Sequence, residues 1–285
     1  EGNILDALKR IGRKDLADRI EQFKQSQFEL LYEASSKLKS TLVSPLNEQY
    51  RMHEQIMNTI NHFYKDEESG LNGLECGIKK VMDIDDPNNG GSRYHGIQFE
   101  PFMNQNRHVL WVDVPDYEDK QQSGSTSRTN KAEADAIALV IKALKKSQGF
   151  EEYMSRQTSK EDKEIGIITF YGAQAALIED MKKTGKLDPS LSYRINVVDK
   201  FQGMERNIVI ISTVRSNNEG PRGLGFTSDP RRINVGFSRA KSLLIIVGNR
   251  SFLSKNNADY AKAISTIGNN KIDIQLCSVG NNIHV

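Results

Sequence analysis

Short, continuous runs of apolar residues alternate with helical patterns through the second half of the chain. Continuous runs indicate strands that are buried on both faces, as in a parallel sheet covered by helices. The predicted strands are HVLWVDV (108–114), IGIITF (165–170), YRINVV (193–198), NIVIIST (207–213) and LLIIVG (243–248). The predicted helices of this half are 130–147, 172–184 and 229–241. The pattern therefore predicts an α/β fold with a mostly parallel sheet.

The first half of the chain has a different pattern. Apolar residues recur at helical spacing from Ile4 to Leu31, with an interruption at Gly12, and this predicts two short helices. A further helix is predicted over 54–64, and the polar, Gly/Asn/Pro-rich residues 65–107 indicate an insertion or a set of short strands. The predicted divisions are a helical lead-in (1–45), a main domain (46–250) and a C-terminal tail (251–285).

One helix start carries a recognisable capping pattern. Asn130 is the expected N-cap of the helix predicted over 130–147, and Glu133 stands three residues later, where a capping-box partner is expected. The preceding residues 119–130 are polar and Ser/Gly-rich, which is typical of a loop.

The charge and composition limit the function classes. The 285 residues include 39 Lys and Arg against 37 Asp and Glu, a formal charge of +2, so any nucleic-acid surface must be local. The two cysteines, Cys76 and Cys277, form no CxxC pair and favour a reducing, intracellular setting, cytoplasmic or, in a eukaryote, nuclear. Since no apolar run approaches the roughly 18 to 20 residues of a membrane span, no membrane association is expected.

Several catalytic motifs are absent from the sequence or incomplete in it. The phosphate-loop pattern G-x-x-x-x-G-K-[ST] is absent, and TGKLD (184–188) has Leu where the hydroxyl residue should follow. HEQIM (53–57) lacks the second histidine of a zinc-protease helix, and no metal site is expected. PDYEDK (115–120) contains the letters of a metal nuclease, but a solvated loop is the favoured interpretation and a nuclease centred on Asp116 stays the weaker alternative.

The segment RRINVGFSRAK (231–241) concentrates four cations in eleven residues. On the predicted helix Arg232, Gly236 and Arg239 share one face, so two guanidiniums flank a position without a side chain. A planar guanidinium suits a phosphate group, and the gap leaves room for one. A solvated basic helix face is the alternative. The opposite, buried stripe is predicted at Ile233, Phe237 and Ala240.

Two other segments contribute candidate ligands. Tyr50 and Arg51 adjoin at a predicted loop-to-helix junction, where one side chain could stack on a base while the other reaches phosphate. Glu205 lies on a Gln-Gly turn after a predicted strand, and Arg215 ends the next strand. Polar residues at the carboxyl ends of strands are where α/β sheets hold ligands.

Four segments resemble, in order, the later motifs of the superfamily 1 helicases of the Upf-like group. They are QYRMH (motif IV), IGIITFYGAQ (before motif V), VVDKFQGMERNIVIISTVRSN (motif V) and GLGFTSDPRRINVGFSRAK (motif VI). The resemblance covers roughly residues 26–250. It implies a three-layer RecA-like (P-loop NTPase-like) fold for the second motor domain, preceded by a lead-in from the first RecA-like domain. The phosphate loop and the acidic Mg²⁺ motif belong to that first domain.

The resemblance implies an ATP site between the two RecA-like domains. Arg51 and Arg239 match the arginine fingers, which stabilise the γ-phosphoryl group as it transfers to water. Tyr50 matches the aromatic residue on adenine, and Glu205 matches the acid that accepts hydrogen bonds from ribose. Arg232 is implied as a further motif VI cation, with an ion pair as the alternative, and Gly236 as the gap for phosphate. The implied cofactors are ATP and Mg²⁺, with the Mg²⁺ ligands in the first domain.

The resemblance also implies a single strand of DNA or RNA across the domain, gripped by its backbone. Such contacts give weak sequence preference and strong salt dependence. For Thr169 and Ser212, strand-end packing is the alternative. The matching residues are Thr169, Tyr171, Gln174, Gln202, Ser212 and Arg215.

Two functions stay open at this point. The first is the C-terminal motor domain of an ATP-dependent helicase, inactive without its phosphate-loop domain. The second is a degenerate helicase-like module that binds nucleic acid or protein without hydrolysing ATP. Phe170, which stands where Pro is usual in ITFYGAQ, and the long polar segment 65–107 motivate the second. Glu54, also at a position where Pro is usual, and NVGFSRAK (234–241) in place of NVALTRAK are further departures from the family pattern.

Overall fold

The computed structural model describes residues 8–16, 34, 46–66, 71–98, 103–114, 120–121, 124, 126–268 and 271–272. The chain divides into two compact units, one of residues 1–46 and 66–71 and one of residues 47–65 and 72–285. In the first unit, helical residues 8–10 and 14–16 flank a turn at Gly12, which has a φ of 78°. The rest of the predicted lead-in, Asp116 of the nuclease-like segment, and the tail beyond 272 lie outside the described residues.

The described residues form short and long elements. The helices are α1 Glu54–Ile60, α2 Ile78–Val81, α3 Lys131–Lys146, α4 Phe150–Ser155, α5 Lys160–Lys163, α6 Gly172–Lys183, α7 Pro230–Phe237, α8 Arg250–Asn256 and α9 Ala258–Ile267. The strands are β1 Glu48–Gln49, β2 Lys65–Asp66, β3 Leu71–Asn72, β4 Glu75–Cys76, β5 Val109–Asp113, β6 Lys120–Gln121, β7 Arg128–Thr129, β8 Glu164–Thr169, β9 Ser192–Val197, β10 Arg206–Ser212, β11 Ala240–Gly248 and β12 Lys271–Ile272. The described residues also include 3₁₀ segments at Asn61–Tyr64, Val198–Phe201 and Gly220–Ser228.

The second unit is built on a six-stranded parallel sheet, in the order β12-β5-β11-β10-β8-β9 among the described residues. Alternate residues of its central strands enter two separate cores. Ile211 and Leu244 pack with α1, α7 and α9 on one face. Ile210 and Ile245 pack with α3 and α6 on the other. The predicted three-layer α/β fold is confirmed, because runs of apolar residues form strands that are covered on both faces.

The predicted helix over 229–241 is wrong at its C-terminal end. Helix α7 ends at Phe237, and β11 begins at Ala240, which pairs with Arg206 at the start of β10. Ala240 fits the apolar stripe of a helix, but it also begins the apolar run of a central strand. Pairing with β10 decides between the two, because the nine-residue strand buries eight of its residues at the middle of the sheet.

The polar segment 65–107 contains the short strands β2, β3 and β4, helix α2 and a series of turns. Glu48 and Gln49 of β1 pair in parallel with Glu75 and Cys76 of β4, so this segment lies beside the residues that precede α1. In the part of the chain that the structure describes, no helix is both long and apolar enough to span a membrane.

Candidate nucleotide and nucleic-acid site

The residues between β1 and α1 form a closed loop, and Gln49 holds it. Its Oε1 accepts the backbone N–H groups of Arg51 and Met52, each at 2.9 Å, and its Nε2 donates to the carbonyl of Met52 at 2.9 Å. His53 then caps α1, since its Nδ1 accepts the N–H of Gln55 at 3.1 Å. The side chains of Tyr50 and Arg51 therefore project from a backbone that the neighbouring amide fixes.

Arg93, in the polar segment, holds the same loop from outside. Its Nε donates to the carbonyl of Arg51 at 2.6 Å and one terminal nitrogen to the carbonyl of Tyr50 at 2.9 Å. The other terminal nitrogen donates to Gly91 and Ser92 at 2.8 and 3.2 Å. Burial lowers the pKa of the Arg93 guanidinium. Arg93 could not be predicted from the sequence, because a single arginine in a polar stretch matches no motif.

Tyr50 presents a largely exposed ring, with 54% of the residue accessible. The ring lies over Gly77, where any side chain would collide with it, and its hydroxyl donates to Glu48 at 3.0 Å. An exposed, supported aromatic face is what stacking on an adenine requires.

The structure brings Arg51 and Glu205 together. Nε of Arg51 lies 2.7 Å from Oε2 of Glu205, and both side chains are about 40% exposed (39% and 43%). A terminal nitrogen of Arg51 also reaches the carbonyl of Ser238 at 3.5 Å. The residues matched to a finger and to a ribose acid are thus ion-paired with each other.

Arg239 lies next to this pair, but most of it is buried. Its Nε donates to the carbonyl of Val235 at 2.9 Å, and its terminal nitrogens donate to the carbonyl of Met204 at 3.3 Å and to Oγ of Ser238 at 2.8 Å. Burial, followed by the charge of Arg51, lowers the pKa of Arg239. Two like charges are therefore held close together at the end of α7.

We call Arg51, Arg239, Lys241, Glu205 and Asp162 the cationic cluster. Nζ of Lys241 lies 2.6 Å from Oδ1 of Asp162 and 4.0 Å from Oε1 of Glu205. Lys241 and Arg51 together hold the pair of carboxylates, so three cations face two acids and one positive charge is in excess. A partly exposed cluster with excess positive charge can attract a phosphate group.

The expected anion gap between Arg232 and Arg239 is not formed. Because α7 ends at Phe237, the two arginines do not share a helix face, and Arg232 instead pairs with Asp199 at 3.1 and 3.0 Å. The missing side chain of Gly236 faces the core, where a Cβ would meet Ile211 and Val198 at 3.6 and 3.7 Å. The prediction that Gly236 leaves space for phosphate is therefore wrong, and Arg232 adopts the alternative ion pair.

Three of the predicted nucleic-acid contacts are fully buried, namely Thr169, Gln174 and Ser212. Nε2 of Gln174 donates to Oγ of Ser212 at 3.0 Å and to the carbonyl of Asn130 at 2.9 Å, while its Oε1 accepts the N–H of Asn130. In this structure Gln174 and Ser212 join β10, α6 and the start of α3 beneath the surface.

Glu133 is the centre of that buried network. Its carboxylate accepts from Oγ of Ser212 at 2.6 Å, Oγ1 of Thr213 at 3.2 Å and the N–H of Val214 at 2.8 Å. Val214 has a φ of 70°, a strained conformation for a β-branched residue. The predicted N-cap at Asn130 is confirmed, since its side chain accepts the N–H of Glu133. The predicted return hydrogen bond, from the N–H of Asn130 to the Glu133 carboxylate, is wrong. The carboxylate instead accepts hydrogen bonds from residues at the end of β10, and the N–H of Asn130 donates to Gln174.

Two of the remaining predicted contacts, Tyr171 and Arg215, lie just beyond the carboxyl ends of β8 and β10. A terminal nitrogen of Arg215 donates to the hydroxyl of Tyr171 at 3.2 Å, and both residues are almost fully buried. Gln202, after the 3₁₀ segment Val198–Phe201, is exposed. The structure therefore gathers Tyr171 and Arg215 with the buried network and leaves Gln202 at the surface.

His53, Asp85 and His108 have ligand atoms within 4.8 Å of one another. Nε2 of each histidine lies 3.3 Å from Oδ1 of Asp85. However, Nδ1 of His53 accepts an N–H, so the proton of its neutral ring is on Nε2 and this ring presents no lone pair to the aspartate. The two rings also stack with centroids 3.5 Å apart and planes at 10°, so their lone pairs do not converge on one point. We interpret this trio as an anchor between α1 and the segment leading to Arg93.

Comparison with known proteins gives one family match. A family model described as "AAA domain" matches residues 23–251. The chain is 33% identical over 213 residues to "Regulator of nonsense transcripts 1 homolog" of Drosophila melanogaster, which covers 74% of this chain and 16% of that protein. It is 32% identical over 220 residues to "Putative helicase MOV-10" of Gallus gallus, an alignment that covers 73% of this chain and 21% of that protein. It is 44% identical over 96 residues to "ATP-dependent helicase NAM7" of Saccharomyces cerevisiae, an alignment that covers 33% of this chain and 10% of that protein. The chain thus spans about a fifth or less of the length of these relatives.

Proposed function

The chain belongs to the AAA domain family as the second RecA-like domain of an Upf-like superfamily 1 helicase, and we propose that it supplies the arginine fingers of an ATP-driven motor on single-stranded DNA or RNA. The observation that carries this proposal is the convergence of Arg51 and Arg239, from distant parts of the sequence, beside Glu205. ATP and Mg²⁺ would bind between this domain and a phosphate-loop domain of the same protein, so the isolated chain would hydrolyse no ATP.

The proposed chemistry uses the excess charge of the cationic cluster. As the γ-phosphoryl group transfers to water, negative charge spreads over its oxygens, and guanidinium groups stabilise that charge. Arg51 is the more accessible of the two fingers, and an incoming phosphate would compete with Glu205 for it. Release of Arg51 would leave the Glu205 carboxylate able to accept hydrogen bonds from ribose hydroxyls, while Tyr50 stacks on adenine.

The proposed path of the single strand follows the carboxyl ends of β8 and β10. The buried network around Glu133 supports this proposal in an indirect way. It fixes the strained turn at Val214 and, through it, the position of Arg215. Under this proposal Thr169, Gln174 and Ser212 shape the surface from below, and exposed groups make the contacts.

The test is an ATPase assay of the chain joined to its natural upstream region, with and without single-stranded DNA or RNA. Replacing Arg239 with Ala should lower turnover by about 10³-fold and change the KM for ATP little, since a finger acts on the transition state. Arg194→Ala, which removes an exposed arginine near the start of the edge strand β9, is the matched control and should retain activity.

Unchanged turnover in Arg239→Ala would show that the finger assignment is wrong. An upstream region without G-x-x-x-x-G-K-[ST] would favour the alternative, a binding module without ATPase activity.

A further inference from the structure

Phe226 is a large apolar side chain that the fold leaves in water. Half of the residue is exposed (50%), and it lies in the 3₁₀ segment Gly220–Ser228. Its sequence signal is slight, an aromatic residue after the turn glycines of GLGF (223–226).

The backbone beneath Phe226 is held in one position. Gly225 has a φ of 52°, and a Cβ there would lie 2.5 Å from the hydroxyl of Tyr171 and 2.9 Å from a terminal nitrogen of Arg215. Only glycine lets the chain close onto this pair. The hydroxyl of Tyr171 then accepts the N–H of Phe226 at 3.2 Å and donates to the carbonyl of Leu224 at 3.4 Å.

The ring of Phe226 is also positioned by its neighbours. The guanidinium carbon of Arg232 lies 4.7 Å from the ring centroid, a cation–π arrangement, and Asp199 fixes that guanidinium with two hydrogen bonds. The ring of Tyr171 lies 5.7 Å away at 44°. An exposed aromatic ring with so little freedom loses little entropy when a flat partner binds.

This ring lies near the carboxyl edge of the sheet, because its neighbour Tyr171 comes two residues after the end of β8, and Arg215, which contacts Tyr171, comes three residues after the end of β10. Thr169 and Ser212, which end β8 and β10 at the same edge, are fully buried and cannot make such contacts themselves. A strand that follows this edge needs exposed groups, and here they are an aromatic face and an adjacent arginine.

We propose that Phe226 is a stacking site for one base of the bound single strand, with the guanidinium of Arg232, paired to Asp199, holding the ring in place. The inference rests on the proposed function and adds a contact to the base. Every base has a π-face, so such a site tolerates sequence differences. Removal of one stacked aromatic weakens single-strand binding by about 5- to 150-fold.

The experiment measures fluorescence anisotropy of labelled oligothymidylate and oligouridylate at low salt, with the full 285-residue chain. Phe226→Ala should weaken binding by about tenfold. The slope of log K against log[salt] should stay unchanged, because no phosphate contact is lost. Phe226→Trp should retain affinity and show quenching of the new indole on binding, against the constant signal of the fully buried Trp111. Val81→Ala, at an apolar side chain with 65% exposure, is the control and should bind as the wild type does.

An abasic strand separates stacking from a change in the fold. Wild type and Phe226→Ala should bind it equally if the ring contacts a base. Equal losses on abasic and normal strands, or no loss on either, would overturn the stacking site and leave the proposed function standing. Failure of the wild type to bind any single strand would overturn both.

Discussion

Lowering the pH from 7 to 5 should destabilise this protein, because His53 and His95 remain neutral in the folded state. His95 is fully buried, its Nδ1 accepts the N–H of Ile97 at 3.0 Å, and its Nε2 donates to the carbonyl of Arg107 at 3.0 Å. Burial, followed by the charge of His108, lowers the pKa of both His53 and His95 to about 3.

The sign and the size follow from these values. Histidine in the unfolded chain has a pKa of about 6.5, so the unfolded state binds protons that the fold excludes. The stability from each group is fully present above about pH 6.5 and is lost as the pH falls toward 3. Between pH 7 and 5 each unfolded histidine goes from about one quarter protonated to almost fully protonated. The free energy of unfolding therefore falls by about 2 kcal/mol for each histidine and by about 4 kcal/mol for both.

The assay is urea unfolding followed by circular dichroism at pH 7 and pH 5, with wild type and His95→Asn. An asparagine can accept the N–H two residues ahead, as His95 does, but takes up no proton. Between pH 7 and pH 5, the free energy of unfolding of His95→Asn should therefore fall by about 2 kcal/mol less than that of the wild type. The pKa of Asp85 is lowered, chiefly by His108, and the stability from that carboxylate is lost only at lower pH, so the comparison stays at or above pH 5. Equal losses in the two proteins would refute the role of His95.

Three further outcomes are expected. Arg93→Ala should lower kcat of the full protein by about 10²-fold with little change in KM, measured by ATPase assay, because the loop carrying Arg51 loses its external hydrogen bonds. Glu133→Gln should cost about 1–3 kcal/mol in urea unfolding, since an amide nitrogen would face a buried donor. Arg206→Ala should cost about 3–5 kcal/mol in the same assay, because it leaves Glu164, now 2.6 Å from the guanidinium, partly buried without its partner.

The sheet could be predicted from the sequence because its signal is local. A central parallel strand needs apolar residues on both faces, and the runs in β10 and β11 meet that need without reference to any other residue. The end of α7 could not be predicted in this way. Ala240 satisfies both a helical stripe and a strand, and only pairing with Arg206 of β10 separates them.

The site was predictable in part for a similar reason. Motif order identified Arg51, Glu205 and Arg239, and the structure brings them together. The burial of polar side chains could not be predicted, because the sequence does not show whether a serine or glutamine at a strand end faces solvent or a buried carboxylate. Gln174 is buried because Asn130, far away in the sequence, supplies matching hydrogen bonds.

Arg239 has three hydrogen bonds to its own domain, and these bonds fix how far it can reach. A tethered guanidinium cannot swing out to search for a nucleotide, so it moves only when the whole domain moves. In the proposed motor, the second finger would therefore arrive with closure of the two domains. The rate of ATP hydrolysis would then depend on how often the two domains close as rigid bodies. A nucleic-acid strand that binds the closed arrangement more tightly would accelerate turnover without contacting the nucleotide.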